Sequence, residues 1–156
     1  MQGVLANFLV AILAAMLIVV AAGDLRSRRI PNWLNLAIAL TAIPFWWMSG
    51  LSLWPDVATQ IALAFGIFVF FAILFQLGMM GGGDVKLLAA LGLWLPLASV
   101  VKLLVIMSLA GGVLTLVMLA RRRRASSGEK TEVPYGVAIA FAGMWLIGER
   151  FLYQFG

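Results

Sequence analysis

The stretch MGGGDVKLL, residues 80–88, lies between two long apolar segments and places Asp84 and Lys86 at the edge of one of them. Three consecutive glycines, residues 81–83, lead directly to the aspartate. Glycine has no side chain, so such a run lets another backbone or a ligand approach closely. A simple helix cap needs no run of this kind. The stretch therefore predicts a junction between two helices and marks Asp84 as a candidate functional residue.

The composition outside this junction is that of a membrane protein. The chain has 156 residues, of which 64% are hydrophobic, and its mean hydropathy is +1.09. Roughly half of the residues of a soluble domain are apolar. A spanning helix needs about 20 apolar residues, so the chain has room for six crossings and little else. We expect a single integral-membrane domain, residues 1–156, with no soluble domain appended.

The apolar segments predict an all-α, polytopic fold with six transmembrane helices. The first, residues 4–22, follows no Lys or Arg, so we interpret it as a permanent anchor and not as a cleavable signal. Residues 85–119 are too long for one crossing, and Pro96 divides them into a short fourth helix and a fifth helix. The other predicted helices cover residues 33–48, 57–77 and 135–151.

The basic residues predict the orientation of these helices. With six crossings and both termini outside, one side collects nine of them and the other only two, so the first side should be cytoplasmic. Five crossings would place the four-arginine run outside; a hairpin in place of helices four and five would keep the same sides. The nine are Arg26, Arg28, Arg29, Lys86, Arg121, Arg122, Arg123, Arg124 and Lys130, against Lys102 and Arg150.

The charge and the missing residue types exclude several classes of function. The net charge is +5, but the basic residues lie between apolar segments, which indicates membrane orientation and not nucleic-acid binding. The chain has neither cysteine nor histidine, so disulfides, thiolate nucleophiles, catalytic histidine and the usual zinc ligands are excluded. We predict no metal and no cofactor. Any chemistry must come from carboxylates, hydroxyls, amines or the backbone.

Four of the six acidic residues have simple structural interpretations. Asp56 follows Trp54 and Pro55 before the third helix, where we expect it to be an N-cap. Glu149 adjoins Arg150 and is expected to form an interfacial pair with it. The last two, Glu129 and Glu132, lie in a polar loop that they help to solvate.

The remaining two, Asp24 and Asp84, adjoin apolar spans on the predicted cytoplasmic side. Ionisable residues are expensive there and indicate function by default. The structural alternative pairs Asp24 with Arg26 or Arg28 and makes Asp84 a helix cap with Lys86 as its counter-ion. The stretches AAGDLRSR and GGGDVKLL echo each other, which suggests two similar hairpins that bring the aspartates together. For Lys86, a charge effect on the aspartates and an extension to the lipid headgroups both remain open, and we favour the second.

Two carboxylates held close together in a pocket of low dielectric share one proton. The ionised member can then take a proton from water while the protonated member binds a substrate carbonyl. This is the chemistry of aspartic proteolysis. The glycine run also suggests phosphate binding as a possible function. However, GGGDVK lacks the Walker spacing, and an aspartate repels phosphate.

Three stretches resemble the type IV prepilin peptidases, a family of intramembrane aspartic peptidases. GGGD at residues 81–84 fits the family's Gly-x-Gly-Asp motif, and DLRSRRIPNWLNL at residues 24–36 is similar to the region of its first catalytic aspartate. VPYGVAIA at residues 133–140 is similar to the element that opens its last helix, although Val137 stands where many members have proline.

The resemblance implies that Asp24 and Asp84 are catalytic and that Gly81, Gly83 and Lys86 belong to the active-site loop. It implies cleavage of the short basic leader of prepilins and pseudopilins at the cytoplasmic face of a bacterial inner membrane, with membrane lipid as the other partner. The chain is similar to the short Flp/Tad-type branch, so no methyl transfer is expected. The alternative is a non-enzymatic pilus-assembly scaffold or a small ion-coupled carrier that uses the same aspartates. The oligomeric state is not indicated.

Overall fold

The computed structural model describes residues 2–125 and 133–155, and these residues form six α-helices without any strand. The predicted all-α class is therefore confirmed for the part of the chain that is described. A π-helical turn at Leu53–Val57 leads into the third helix. Glu129, Lys130 and Glu132 of the predicted polar loop lie outside the described residues. The helices are α1 (Gln2–Ser27), α2 (Asn32–Met48), α3 (Ala58–Gln76), α4 (Gly82–Gly92), α5 (Leu97–Ala125) and α6 (Tyr135–Phe155).

Three helical segments among the described residues are long and apolar enough to cross a membrane, which fits a multi-pass membrane protein. They are Gly3–Ser27, Leu53–Gln76 and Leu97–Arg121. Six crossings are not confirmed. The helix α4 has 11 residues and rises only about 17 Å, against a hydrocarbon core of roughly 30 Å. It is too short to cross alone.

The helix α4 lies at the centre of the helix packing. It packs against α2, α3 and α6, while α1 packs against α2 and α6, and α5 against α6. Its Leu87, Leu88 and Leu91 are fully buried, and such close packing of side chains stabilises helix association in a membrane. The indole nitrogen of Trp46 donates to the Leu93 carbonyl at 2.7 Å and anchors the end of α4 to α2. Because α4 carries Asp84 in its first turn, this core packing holds one candidate residue in place.

The first helix extends further than the sequence predicts. The helix α1 continues beyond residue 22 to Ser27, so Asp24 lies inside its last turn and not in the loop after it. The Ser27 hydroxyl donates to the Gly23 carbonyl at 2.9 Å and continues the helical hydrogen bonding. The left-handed Arg28, with φ of 52°, then ends the helix.

Two expected roles of acidic residues are wrong. Asp56 does not cap α3, because its carboxylate accepts the Ser52 N–H at 3.0 Å and the Ser52 hydroxyl at 2.9 Å. Glu149 pairs with Lys102 of α5 at 2.7 Å and not with Arg150. Adjacent residues of a helix point in different directions, so Glu149 meets the neighbouring helix instead.

Candidate active site

Asp24 and Asp84, sixty positions apart in the sequence, line one cavity of about 540 Å³. The cavity is enclosed by the end of α1, the segment that joins α3 to α4, and the beginning of α6. Arg28 and Arg29 add positive charge to its wall, and Tyr135 lines it from α6. The fold thus brings both candidate aspartates to the same polar space at one end of the helix bundle.

The carboxyl group of Asp24 is held by the first turn of α6. Its Oδ2 accepts the Val137 N–H at 3.0 Å, and the residue is only 4% exposed. The first N–H groups of a helix have no partner within it and carry partial positive charge, so an acidic group is stabilised there. The position that resembles a family proline is valine here, and its N–H, which proline would lack, makes this contact.

Gly136 lets α6 approach Asp24 this closely. A Cβ at this position would lie 2.8 Å from Asp24 Oδ2 and 2.8 Å from Ile30 Cδ1. Since real Cβ atoms do not approach other atoms so closely, only glycine fits without displacement. Sequence reasoning quoted the stretch around Gly136 but gave this residue no role. The available signal was a glycine in the first turn of a helix, directly after Pro-Tyr.

The second carboxyl group, that of Asp84, lies in the first turn of α4, outside the three candidate spans. Burial and, to a lesser extent, the nearby Asp24 carboxylate raise the pKa of Asp84 to about 7, although the N–H of Gly81 partly opposes them. A Cβ at Gly81 would lie 3.0 Å from Asp84 Oδ2, so the glycine leaves space for the carboxyl group. Asp84 therefore reaches back towards Gly81, the N-cap residue of its own helix.

The segment around Gly83 is held by the beginning of α2. The side-chain amide of Asn35 donates to the Gly83 carbonyl at 3.1 Å. Asn35 is buried, and a buried amide without a partner would be destabilising. Sequence reasoning missed this residue. Its signal was an amide one turn after Pro31 and Asn32, on the otherwise apolar α2.

The structure does not bring Lys86 into the cavity. Its ammonium group donates to the Asn32 side-chain oxygen at 2.8 Å and links α4 to α2 outside the cavity wall. Of the three residues expected in the active-site loop, Gly81 and Gly83 therefore lie beside the aspartates and Lys86 does not.

Comparison with known proteins identifies the family. The sequence model of the type IV leader peptidase family matches residues 11–116, a range that includes both aspartates and the glycine run. The chain belongs to this family. A segment of 68 residues is 41% identical to a prepilin leader peptidase/N-methyltransferase of Xanthomonas campestris pv. campestris. That match covers 44% of this chain and 22% of the relative, so the chain spans only part of the relative's length. No solved structure matches the chain.

The two carboxyl groups of this leader peptidase family member occupy unlike surroundings in one cavity. Asp24 accepts an N–H from the first turn of α6, whereas Asp84 reaches back to the N–H of Gly81 in its own helix. Asp84 is partly buried and retains its proton up to about pH 7. Paired titratable groups whose surroundings separate their protonation states are suited to act as base and acid.

Proposed function

We propose that the protein is an intramembrane aspartic endopeptidase that removes the short basic leader of type IV prepilins. The observation that carries the proposal is the opening of Asp24 and Asp84 onto one cavity in unlike surroundings. Membership of the type IV leader peptidase family supports the substrate class. The charged end of the bundle, with Arg28 and Arg29 at the cavity, supports an active site at the cytoplasmic membrane face.

In the proposed reaction, Asp24 is the base and Asp84 is the acid. A water molecule between them loses a proton to Asp24, and its oxygen attacks the carbonyl carbon of the scissile peptide bond. Asp84 donates its proton to the carbonyl oxygen, so no full negative charge develops there. The tetrahedral intermediate then collapses: its hydroxyl proton returns to Asp84, Asp24 passes its proton to the leaving nitrogen, and the C–N bond breaks. No covalent acyl-enzyme is formed.

The substrates proposed for this chain are prepilins and pseudopilins of the Flp/Tad type, cut at the bacterial inner membrane. The proposal includes peptide hydrolysis only. Methyl transfer, which the name of the Xanthomonas relative includes, is not carried over, because the aligned segment is 22% of that protein.

Co-expression with a Flp-type prepilin tests the assignment. Wild type should shorten the prepilin by its leader, whereas Asp24→Asn and Asp84→Asn should each accumulate the full-length form at normal enzyme abundance. Asp56→Asn is the matched control, because Asp56 bonds Ser52 away from the cavity and should leave processing unchanged.

The same experiment separates the enzyme from a pilus-assembly scaffold or a carrier. Normal leader removal by either Asn variant, with or without pilus assembly, contradicts the peptidase. Mass spectrometry of the processed pilin should find an unmethylated N-terminus. Parallel co-expression with a prepilin of a different type IV system tests the Flp/Tad preference, which predicts slower cleavage of that second substrate.

A further inference from the structure

The side chain of Ile30 lies between the two helix beginnings that hold the aspartates. A Cβ at Gly83 would lie 3.2 Å from the Cβ of Ile30, and a Cβ at Gly136 would lie 2.8 Å from its Cδ1. Ile30 is buried and also lines the cavity of Asp24 and Asp84. One end of this side chain thus lies beside the turn that carries Asp84. The other end lies beside the turn whose N–H holds Asp24.

We propose that Ile30 is a positioning residue that sets the separation of the two carboxyl groups by keeping the beginnings of α4 and α6 apart. This inference rests on the proposed peptidase function for its kinetic consequences, but its geometric content does not depend on that function. A Cβ at Gly83 would be tight against Ile30 and one at Gly136 would overlap it, so both helix beginnings lie close to this side chain.

The sequence makes Ile30 unusually rigid for such a role. Its branched Cβ restricts rotation about χ1. Pro31 follows directly, and a residue before proline is restricted to extended backbone conformations. Pro31 is in turn the N-cap of α2, so the backbone of Ile30 is joined to a packed helix. A spacer with few accessible conformations holds its neighbours at a defined distance.

Among the residues that the structure describes, four charged groups line the cavity around this spacer. Asp24 belongs to α1, Asp84 to α4, and Arg28 and Arg29 precede Ile30 in the segment before α2. Tyr135 lines the cavity from α6, and the uncharged Met79 and Met80 line it from the segment after α3. A change in the length of residue 30 should therefore act mainly on the separation of the two carboxyl groups.

The kinetic test compares two identical substitutions, Ile30→Val and Ile38→Val. The first removes only Cδ1, the Ile30 atom that a Cβ at Gly136 would overlap. The second removes the same atom from a fully buried isoleucine of α2 that does not line the cavity. We expect kcat of Ile30→Val to fall about tenfold with KM changed less than about twofold, since displacements of about 1 Å can reduce rates on the order of 100-fold. Ile38→Val should keep kcat within about twofold of wild type. Equal effects of the two substitutions overturn the proposal.

An infrared titration of the detergent-solubilised protein tests the spacing without any substrate. The protonated-carboxyl band that disappears in Asp84→Asn reports on Asp84. With a shorter spacer the carboxyl groups approach each other, and like charges disfavour ionisation, so the titration midpoint should rise by roughly one pH unit in Ile30→Val and stay unchanged in Ile38→Val. An unchanged midpoint in Ile30→Val overturns the proposal. If wild type cleaves no prepilin, the proposed function fails while this titration still decides the role of Ile30. If Ile30→Val is poorly produced, Ile30→Leu replaces it in the comparison with Ile38→Val. Leucine keeps the volume of isoleucine but lacks its branched Cβ. We expect Ile30→Leu to change both kcat and the titration midpoint of the Asp84 carboxyl group.

Discussion

The two halves of the cavity hold their aspartates in opposite ways. Asp24 ends a long helix, is almost completely buried, and is bound by an N–H from residue 137, far along the chain. Asp84 begins a short helix, is only partly buried, and reaches back to Gly81, three residues earlier. The first carboxyl group depends on a tertiary contact with α6. The second depends on its own local sequence, so the two should respond differently to similar changes.

The largest difference is expected when each aspartate is lengthened by one CH2 group. Asp24→Glu has no room beside Gly136, where even a Cβ would lie 2.8 Å from the carboxylate, so leader cleavage should fall on the order of 1,000-fold. Asp84→Glu keeps a carboxyl group at a position that is only partly buried and should lose roughly 10- to 100-fold. Initial rates of prepilin cleavage measure both. Equal losses, or a greater loss in Asp84→Glu, contradict the comparison.

Replacing the glycine beside each aspartate by alanine should show the same difference between the two halves of the cavity, but with smaller losses of cleavage rate. Gly136→Ala meets Asp24 and Ile30 at 2.8 Å, whereas Gly81→Ala meets only the Asp84 carboxyl group, at 3.0 Å. We expect about 100-fold loss of cleavage rate in the first and about tenfold in the second. Gly66→Ala of α3, which meets nothing within 4 Å, is the control and should cleave like wild type. A Gly136→Ala enzyme as active as this control would remove the role assigned to α6.

The pH dependence of cleavage should come from the Asp84 half of the cavity. The pKa of Asp84 is raised to about 7, so its proton is present below that pH and is lost above it. As the acid of the proposed reaction, it should make cleavage fall as pH rises through about 7, by up to about tenfold for each further unit. A pH series of kcat on the purified enzyme measures this limb. A rate that stays constant well above neutral pH would assign the acid to another group.

The smallest effect is expected at Lys86, which lies outside the cavity. Lys86→Met removes the hydrogen bond to Asn32, and such a bond contributes only about 0.5–1.5 kcal/mol to stability. Cleavage should change by less than about threefold, with some loss of thermal stability in a melting assay. If Lys86→Met lost as much cleavage rate as Asp84→Asn, Lys86 would have a role in the active-site loop after all.

Local patterns were sufficient to predict much of this molecule. The all-α class and the candidate residues Asp24, Asp84, Gly81 and Gly83 follow from apolar runs and from acidic groups beside them. Hydrophobic burial and the rarity of charge near lipid act within short segments, so short segments reveal them. The same reasoning placed Asp24 beyond α1, whereas the helix includes it. The residue at which a helix ends depends on tertiary packing, which the hydrophobic pattern of one segment does not show.

The supports of the site could not be predicted in this way. Asn35 bonds Gly83 across 48 positions, and Val137 bonds Asp24 across 113. The roles proposed for Gly136 and Ile30 depend on α6 and α4 beginning beside the segment that precedes α2. Glu149 likewise forms its ion pair with Lys102 of another helix and not with the adjacent Arg150.

The amino-acid sequence by itself determined which segments are apolar and helical and which two carboxyl groups have no simple structural role, because both depend on side-chain chemistry along a continuous run. Only the tertiary structure decided that these groups share a cavity, that α6 holds one of them, and that Lys86 is directed elsewhere. Distances between helices are set by the packing of side chains from separate segments, and glycine or isoleucine acquires its function there from what lies opposite.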